Sequence, residues 1–184
     1  MPSRFSLWSG AILVVGMGLL AAGYYGYDKL QKLNDLPSIE AMISEDFSDV
    51  THLSPAALAD RQKTSGDDLL IIDCRKPHEY AVSHLPNAVN LRSASEVTQY
   101  LEDTGRTPQE IVAYCSVGYR SSKLARALQK DGYENVANLR GSIFAWANED
   151  RPLENSDGTE VLTVHPYHDF WAKLLKPGKA WKRP

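Results

Sequence analysis

The chain has 184 residues, of which 43% are hydrophobic and 23% are charged, and its formal net charge is -3. This composition is typical of a globular protein with room for one domain and an appendage, and the charge gives no indication of a nucleic-acid-binding surface. Two cysteines are too few for a disulfide scaffold, and they do not form the Cys-x-x-Cys pair of a structural zinc site. We therefore expect a domain stabilised by its core, without a metal, a cofactor or a nucleic-acid partner.

The N-terminal segment differs from the rest of the chain. Residues 5–27 carry no charge and centre on "AILVVGMGLLAAG". As a helix these residues would be about 35 Å long, enough to cross the ~30 Å hydrocarbon layer of a membrane. Trp8 lies near one end and three tyrosines lie near the other, where aromatic rings favour the headgroup region. The segment predicts a retained, single-pass membrane anchor; the alternative is a cleaved secretory signal with the small residues 21–23 near its cleavage site.

The residues in and around this segment bear on its orientation, its association and the domain boundaries. One arginine precedes it and two lysines follow it, so the positive-inside rule does not predict which side of the membrane the remaining chain occupies. Gly18, Ala22 and Gly26 recur at the four-residue spacing that lets membrane helices approach closely, which makes a weak homodimer through the anchor a further hypothesis. The predicted regions are the anchor and stalk, a globular domain and a C-terminal extension, at residues 1–36, 37–153 and 154–184.

Buried strands and amphipathic helices alternate in the globular domain. Ser54 and Pro55 have the positions of a helix cap and a first helical residue. "LLIID" (Leu69–Asp73) and "IVAYC" (Ile111–Cys115) are continuously apolar, as expected for parallel strands that are covered on both faces. The pattern predicts an alternating α/β fold with parallel strands that are covered on both faces.

Cys115 ends the second of these strands, just before a predicted helix. A thiol attacks as its thiolate, which requires a lowered pKa. The backbone N–H groups of "SVGYRS" and the positive end of the helix both favour an anion there. Gly118 allows a sharp turn, and Arg120 adds a forked, positively charged donor. We interpret Cys115 as a nucleophile; the alternative is a small buried side chain at the end of a strand.

The most specific pattern consists of three ordered stretches, "IIDCRKPHEYAVSHLPNAVNL", "CSVGYRS" and "NLRGSIFAWANEDRPL". They resemble the motifs Asp-x-Arg-x-x-x-Glu-[Phe/Tyr]-x-x-Gly-His-[Ile/Leu]-x-Gly-Ala-x-Asn, Cys-x-x-Gly-x-Arg and Leu-x-Gly-Gly-x-x-x-Trp of the rhodanese-like sulfurtransferases. The chain departs from these motifs at Ser83, Asn87 and Ser142, where the family has glycines. The cysteine loop itself contains no departure.

The resemblance implies a small doubly wound parallel sheet and a two-step sulfur transfer. Cys115 would attack the outer sulfur of thiosulfate or a similar donor, release sulfite and hold a persulfide, which an acceptor thiol or cyanide would then take. The catalytic residues would be Cys115 and Arg120, and the substrate-binding residues would be Ser116, Val117, Gly118, Tyr119, Ser121 and Arg75. Asp73 and Glu79 would brace the site, and Arg75 has the alternative role of a purely structural partner for a carboxylate.

The resemblance leaves two rival functions open. Phosphatases and arsenate reductases with rhodanese-like domains use a longer Cys-x5-Arg loop, whereas four residues separate Cys115 from Arg120. The other rival is a membrane-tethered binding module without significant turnover.

Three further features have a structural and a functional interpretation. Cys74 is either a small packed side chain or a resolving thiol for Cys115. We expect His84 to be a structural histidine. We expect the C-terminal extension to pack on the domain, although its basic end has the alternative of touching lipid headgroups; His165 and His168 alone are a weak metal signal.

Overall fold

A computed structural model describes residues 32–182. The predicted anchor, its small-residue spacing and the alternative signal sequence all lie outside the described residues. Between residues 32 and 182, no helix is long and apolar enough to cross a membrane. The chain divides into two units at Asn34. A 3-10 helix, Lys32–Asn34, ends the first unit, and all further elements belong to the second.

The second unit alternates strands and helices over most of its length. Its strands are β1 (Thr51–Leu53), β2 (Leu69–Asp73), β3 (Ala88–Asn90), β4 (Glu110–Tyr114), β5 (Val136–Leu139), β6 (Leu153–Glu154) and β7 (Glu160–Val161). Its α-helices are α1 (Leu36–Asp46), α2 (Pro55–Thr64), α3 (Pro77–Val82), α4 (Ala94–Thr104), α5 (Tyr119–Lys130), α6 (Ser142–Asn148) and α7 (Asp169–Ala172).

Strands β1 to β5 form one parallel sheet in the order β1-β5-β4-β2-β3. Every residue of β2 is buried. Because successive side chains of a strand point to opposite faces, both faces of the sheet are covered at this strand. The predicted α/β fold with a parallel sheet is therefore confirmed. The predicted β2 has the observed bounds, whereas β4 ends at Tyr114, one residue before the predicted end.

The second helix shows how the sequence sets an element boundary. The Ser54 hydroxyl accepts a hydrogen bond from the Ala57 N–H at 3.2 Å, and Pro55 is the first helical residue. A serine cap satisfies an N–H that has no partner within the helix, and proline has no N–H to satisfy. The predicted helix start is confirmed.

His84 follows α3 and is buried. Its ring stacks on Tyr80 with a centroid distance of 3.7 Å, and Nδ1 lies 3.0 Å from the Tyr80 carbonyl oxygen. Its other nitrogen, Nε2, lies 3.5 Å from Oε1 of Glu154. Both ring nitrogens thus have protein neighbours, which is the predicted structural role.

The C-terminal extension begins with an antiparallel pair of β6 and β7. Further along, the backbone of Val164 bonds to Lys179 and Trp181 at 2.7 and 2.8 Å, so the end of the extension returns to its middle. Val164 is fully buried, and Leu174 and Leu175 are buried as well. The extension also contacts the domain, because the Asn148 amide donates to the Leu174 carbonyl oxygen at 2.8 Å and Lys179 pairs with Asp150 at 2.6 Å. The predicted packing of the extension on the domain is thus observed for residues up to 182.

Candidate active site

The site lies at the carboxyl ends of β2 and β4. These strands are neighbours in the sheet, with Asp73 opposite Tyr114. Beyond the last pair, the Cys74 N–H donates a hydrogen bond to the Tyr114 carbonyl oxygen at 2.9 Å. Cys74 and Cys115 therefore leave the sheet side by side, at the edge where open α/β sheets bind their ligands.

A short loop carries the chain from Cys115 into α5. The Gly118 N–H donates a hydrogen bond to Sγ of Cys115 at 3.2 Å. Gly118 has a φ of 117°, in the region that only glycine adopts readily. A Cβ at this position would also lie 3.3 Å from Nδ2 of Asn138. The glycine thus serves both the turn and the close approach of a backbone donor to the thiol.

Arg120 lies in the first turn of α5 and points its guanidinium at the loop. Nη2 donates a hydrogen bond to Ser116 Oγ at 3.1 Å, and the two terminal nitrogens lie 3.3 and 3.4 Å from the carboxylate of Glu79. Glu79 is fully buried. Burial raises the pKa of Glu79, but the hydrogen bonds and charge of Arg120 outweigh burial and lower that pKa below its usual value. Glu79 is therefore an ionised partner that holds Arg120 at the loop.

The Cys115 thiol is surrounded by groups that favour its anion. Burial alone would raise its pKa, because a thiolate loses more hydration than a thiol. The hydrogen bond from Cys74, the charge of Arg120 and the polar groups of Ser121 outweigh burial and hold the pKa of Cys115 well below the usual value of a thiol. A thiolate is the form that attacks sulfur.

Cys74 has the opposite electrostatic environment. Its hydrogen bond to Cys115 and its burial both raise the pKa of Cys74 well above the usual value. Of the two neighbouring thiols, Cys74 is therefore the less acidic. Besides the packed side chain and the resolving thiol, this adds a third interpretation of Cys74, as a neutral neighbour that favours the Cys115 anion.

Arg75 lies in a fully buried ion pair with Asp73. Its Nη2 is 2.7 Å from Asp73 Oδ2, and its Nε is 3.0 Å from Oδ1. The Arg75 backbone N–H also donates to Oδ1, at 2.9 Å, and the guanidinium bonds the Ser83 carbonyl oxygen. Because the side chain has no exposed surface, the structure favours the bracing role of Arg75 over the predicted contact with substrate.

The other predicted loop residues have different surroundings. Ser116 is buried beside Arg120, and Val117 is half-buried. Ser121 is buried, and its hydroxyl donates to Asn138 Oδ1 at 2.6 Å. The Tyr119 ring is partly exposed and packs edge-on against Phe47, with a centroid distance of 5.3 Å. The substrate contacts of these side chains stay predictions.

Ser142 has a role in the site that the sequence analysis missed. It was noted only as a departure from a family glycine, yet its hydroxyl accepts the Cys115 N–H at 3.0 Å. The following residue, Ile143, donates its N–H to the Cys115 carbonyl oxygen at 3.2 Å. The start of α6 thereby binds both backbone polar groups of Cys115. Asn87 and Ser142 keep the positive φ, 63° and 51°, that glycine would adopt. The departure at Asn87 is thereby explained, because asparagine tolerates this region more readily than other residues with a side chain.

Tyr167 is a second missed residue. Its ring lies over the Arg120 guanidinium, with 5.0 Å between Cζ and the ring centroid. The C-terminal extension therefore reaches the site, which no local motif indicates. Within residues 32–182, no group of three or more His, Cys, Asp or Glu side chains could hold a metal ion, and His165 and His168 are part of no such group.

Comparison with known proteins identifies the family. The rhodanese-like domain family matches residues 54–149. A sulfurtransferase of Allochromatium vinosum is 33% identical over 95 residues, which cover 50% of this chain and 84% of that protein. A tRNA uridine(34) hydroxylase of Enterococcus faecalis is 33% identical over 96 residues, covering 50% of this chain but 30% of the relative. An adenylyltransferase and sulfurtransferase of Candida albicans is also 33% identical, over 86 residues, 44% of this chain and 20% of that protein.

Solved structures have the same fold. A thiosulfate sulfurtransferase of Pseudomonas aeruginosa aligns with a TM-score of 0.55 at 19% identity, over 65% of this chain and 22% of that one. A protein of unknown function from Rhodopseudomonas palustris, named as a possible tyrosine phosphatase, aligns with a TM-score of 0.53 at 25% identity, over 63% of this chain and 93% of that one. The matched segment, the parallel sheet and the cysteine loop agree, and the chain belongs to the rhodanese-like domain family.

Proposed function

We propose that this protein is a sulfurtransferase that moves a sulfane sulfur from thiosulfate or a persulfide donor to a thiol or cyanide through a persulfide on Cys115. The observation that carries the proposal is the position of Sγ of Cys115, which accepts the Gly118 N–H at 3.2 Å and has a pKa well below the usual value of a thiol. The sulfurtransferase relatives of the family support the same reaction class.

In the first half-reaction, the Cys115 thiolate attacks the outer sulfur of thiosulfate. The bond between the two donor sulfurs breaks, and sulfite leaves with its electron pair. The Cys115 persulfide anion then stands where the loop amides and Arg120 can neutralise its charge. Arg120 is held for this purpose by Glu79 and Ser116, so little reorganisation is needed when charge moves onto the outer sulfur.

In the second half-reaction, an acceptor thiolate or cyanide attacks the outer sulfur. The bond to Sγ breaks, the Cys115 thiolate is restored, and the acceptor leaves as a persulfide or as thiocyanate. Free enzyme and persulfide enzyme alternate, so the kinetics are ping-pong.

The length of the loop favours sulfur over phosphate. Four residues separate Cys115 from Arg120, one fewer than in the related phosphatases, and the single outer sulfur of a persulfide is smaller than a tetrahedral oxyanion. Phosphate-ester hydrolysis is an outcome that the test below separates.

Intact mass of the full-length protein before and after thiosulfate tests the proposal. The wild-type protein should gain one sulfur, about 32 Da, and lose it to cyanide or a small thiol. Cys115→Ser should gain none, whereas Cys74→Ser, a matched removal of the neighbouring thiol, should still gain it. If the wild-type protein stays unmodified with every sulfane donor, the sulfurtransferase proposal fails. Hydrolysis of a phosphate ester would then favour the phosphatase, and inactivity in both assays would favour the binding module.

We also propose that residues 5–27 hold the protein in a membrane as a single-pass anchor. The support is the uncharged, anchor-length sequence with aromatic residues at its borders. Full-length protein should stay in the membrane pellet through high salt and alkaline carbonate and leave only with detergent. A shortened chain from Asn34, which keeps the Asp35 cap of α1, should be soluble. A soluble mature protein whose N-terminus maps near Gly23 would show that the segment is a signal instead.

A further inference from the structure

The C-terminal extension lies outside the matched family segment, which ends at residue 149, yet it contacts the candidate active site. The Tyr167 ring lies over the Arg120 guanidinium with 5.0 Å between Cζ and the ring centroid. This distance is within the range of a cation–π interaction. Arg120 therefore has Glu79 as one neighbour and an aromatic ring as another. About half of the Tyr167 surface, 48%, remains exposed, so the ring also borders solvent.

The backbone of Tyr167 is held in an unusual conformation. Its φ is 64°, in the left-handed region that side chains other than glycine, asparagine and aspartate seldom adopt. The Tyr167 N–H donates to Nδ1 of His165 at 3.0 Å. Such a conformation persists only where the surroundings determine it, and it is often found at functional sites. Here it presents the ring to Arg120.

A row of aromatic rings joins this part of the extension to the domain. His165 stacks on Trp181 with a centroid distance of 5.4 Å, and it meets His78 edge-on at 5.3 Å. His78 belongs to α3, the same helix that carries Glu79. The element that holds Arg120 by a carboxylate is thus also a support for the loop that covers Arg120 with a ring.

The same loop borders an open cavity. The cavity has a volume of about 610 Å³, and Tyr167 is one of its lining residues, together with His165 and Trp181. The residues that line this cavity all belong to the extension, and Tyr167 also contacts Arg120.

From these contacts we propose that the C-terminal extension forms an outer wall of the active site, in which Tyr167 is a specificity-determining residue that favours small anionic sulfur donors over bulky ones. The proposal rests on the sulfurtransferase function of Cys115. The ring occupies the approach to Arg120, so a donor that reaches the guanidinium must fit beside it. Thiosulfate has only oxygen atoms around its inner sulfur, whereas an aryl thiosulfonate has a ring in place of one of them.

The experiment compares two donors with the same transferable outer sulfur. Thiosulfate releases sulfite, and benzenethiosulfonate releases benzenesulfinate when the thiolate takes its outer sulfur. In full-length Tyr167→Gly, which removes the ring and suits the positive φ, we expect kcat/KM for benzenethiosulfonate relative to thiosulfate to rise at least fivefold. Tyr167→Phe keeps the ring and should stay within twofold of the wild-type ratio.

Phe170→Ala is the matched control. Phe170 lies in the same extension, is 49% exposed and packs edge-on against Trp171, so it reports the cost of losing an exposed aromatic ring away from Arg120. Its donor ratio should equal that of the wild type. A ratio in Tyr167→Gly within twofold of the wild type, or an equal rise in Phe170→Ala, would overturn the proposal.

A second readout needs no sulfur transfer. Iodoacetamide is a small reagent for the Cys115 thiolate, and N-phenylmaleimide is a bulky one. Tyr167→Gly should raise the rate of Cys115 modification by the maleimide relative to iodoacetamide, again at least fivefold. If neither donor modifies the wild-type protein but this ratio rises, the wall is retained and the sulfurtransferase function fails. If the donors transfer their sulfur but the ratio of the two modification rates does not change, the sulfurtransferase function stands and the proposal for Tyr167 fails.

Discussion

Cys74 and Cys115 occupy equivalent places at the ends of neighbouring parallel strands, and both are buried. The pKa of one is nevertheless raised and that of the other lowered. Position at the end of a strand and burial are common to both thiols, so neither explains the difference.

The mutual interaction of the two thiols is the largest cause of the difference after burial, and the segments that follow the two cysteines add to it. After Cys115, the chain supplies the Gly118 N–H and the half-exposed Arg120 to the thiol. After Cys74, the next arginine is Arg75, whose guanidinium is bound to Asp73. The loop after Cys115 therefore leaves donors and charge for its thiol, whereas the arginine after Cys74 is paired with a carboxylate.

Removing the charge of Asp73 should have the largest effect on folding. Asp73→Asn leaves the Arg75 guanidinium buried without its ion partner, which typically costs about 3 to 5 kcal/mol. The midpoint of urea unfolding of the domain should fall accordingly. Asp60→Asn, which breaks an exposed ion pair with Lys63, is the control and should change stability little. Equal urea midpoints for the two variants would show that the Asp73–Arg75 ion pair does not stabilise the domain.

Removing Arg120 should have the largest effect on chemistry. Arg120→Ala should slow persulfide formation from thiosulfate by on the order of 100-fold, as for the loss of a preorganised charged donor. Arg120→Lys should recover only part of the rate, because the forked geometry that meets Glu79 and Ser116 is lost. Stopped-flow or quenched mass measurements of the adduct give these rates.

Arg126→Ala is the matched control for Arg120. Arg126 lies on the same helix but pairs with Asp49 at the surface, so its loss should leave the rate of persulfide formation unchanged. A wild-type rate in Arg120→Ala would mean that the loop amides suffice without the guanidinium.

Gly118→Ala tests how much the loop backbone contributes to the difference between the two thiols. Gly118→Ala forces a side chain into a φ of 117° and to 3.3 Å from the Asn138 amide, which we expect to cost about 1 to 3 kcal/mol. The displaced N–H should also slow Cys115 alkylation at neutral pH. Gly132→Ala has a similar backbone strain, with a φ of 97° and open space around its Cβ. It should lose stability without any change in the alkylation rate; equal rates in both variants would contradict the role of the Gly118 N–H.

At Ser142 we expect an effect on stability of a size similar to that at Gly118. Ser142→Ala leaves the buried Cys115 N–H without its acceptor, at a cost of about 1 to 3 kcal/mol. Ser142→Gly loses the same bond but relieves the positive φ of 51°, so it should be the more stable of the two in thermal unfolding. The opposite order would show that relief of the positive φ does not decide the difference, and wild-type stability in both variants would show that the hydroxyl does not hold the Cys115 N–H.

Local patterns predicted the features that depend on neighbouring residues in the sequence. The apolar run of β2, the Ser54 cap and the Cys115 loop each depend on a few consecutive residues, and each was found where the sequence indicated it. The roles of Ser142 and Tyr167 depend on contacts between residues far apart in the chain. Ser142 looked like a lost glycine, because a sequence shows the missing residue type but not the hydrogen bond that replaces it. Tyr167 lies in an extension without a motif, and only the folded chain places its ring on Arg120.

The pH dependence of alkylation, followed separately at Cys74 and Cys115 in the wild-type protein, tests the difference between the two thiols most directly. Iodoacetamide reacts with thiolates, so the rate at an ordinary thiol falls about tenfold for each pH unit below its pKa. Because the pKa of Cys115 is held well below the usual value, its rate should stay nearly constant as the pH falls from about 9 to about 7. Cys74 should react far more slowly and lose rate throughout that range. A tenfold decline per pH unit at Cys115, or faster alkylation of Cys74, would contradict the assignment of Cys115 as the nucleophile.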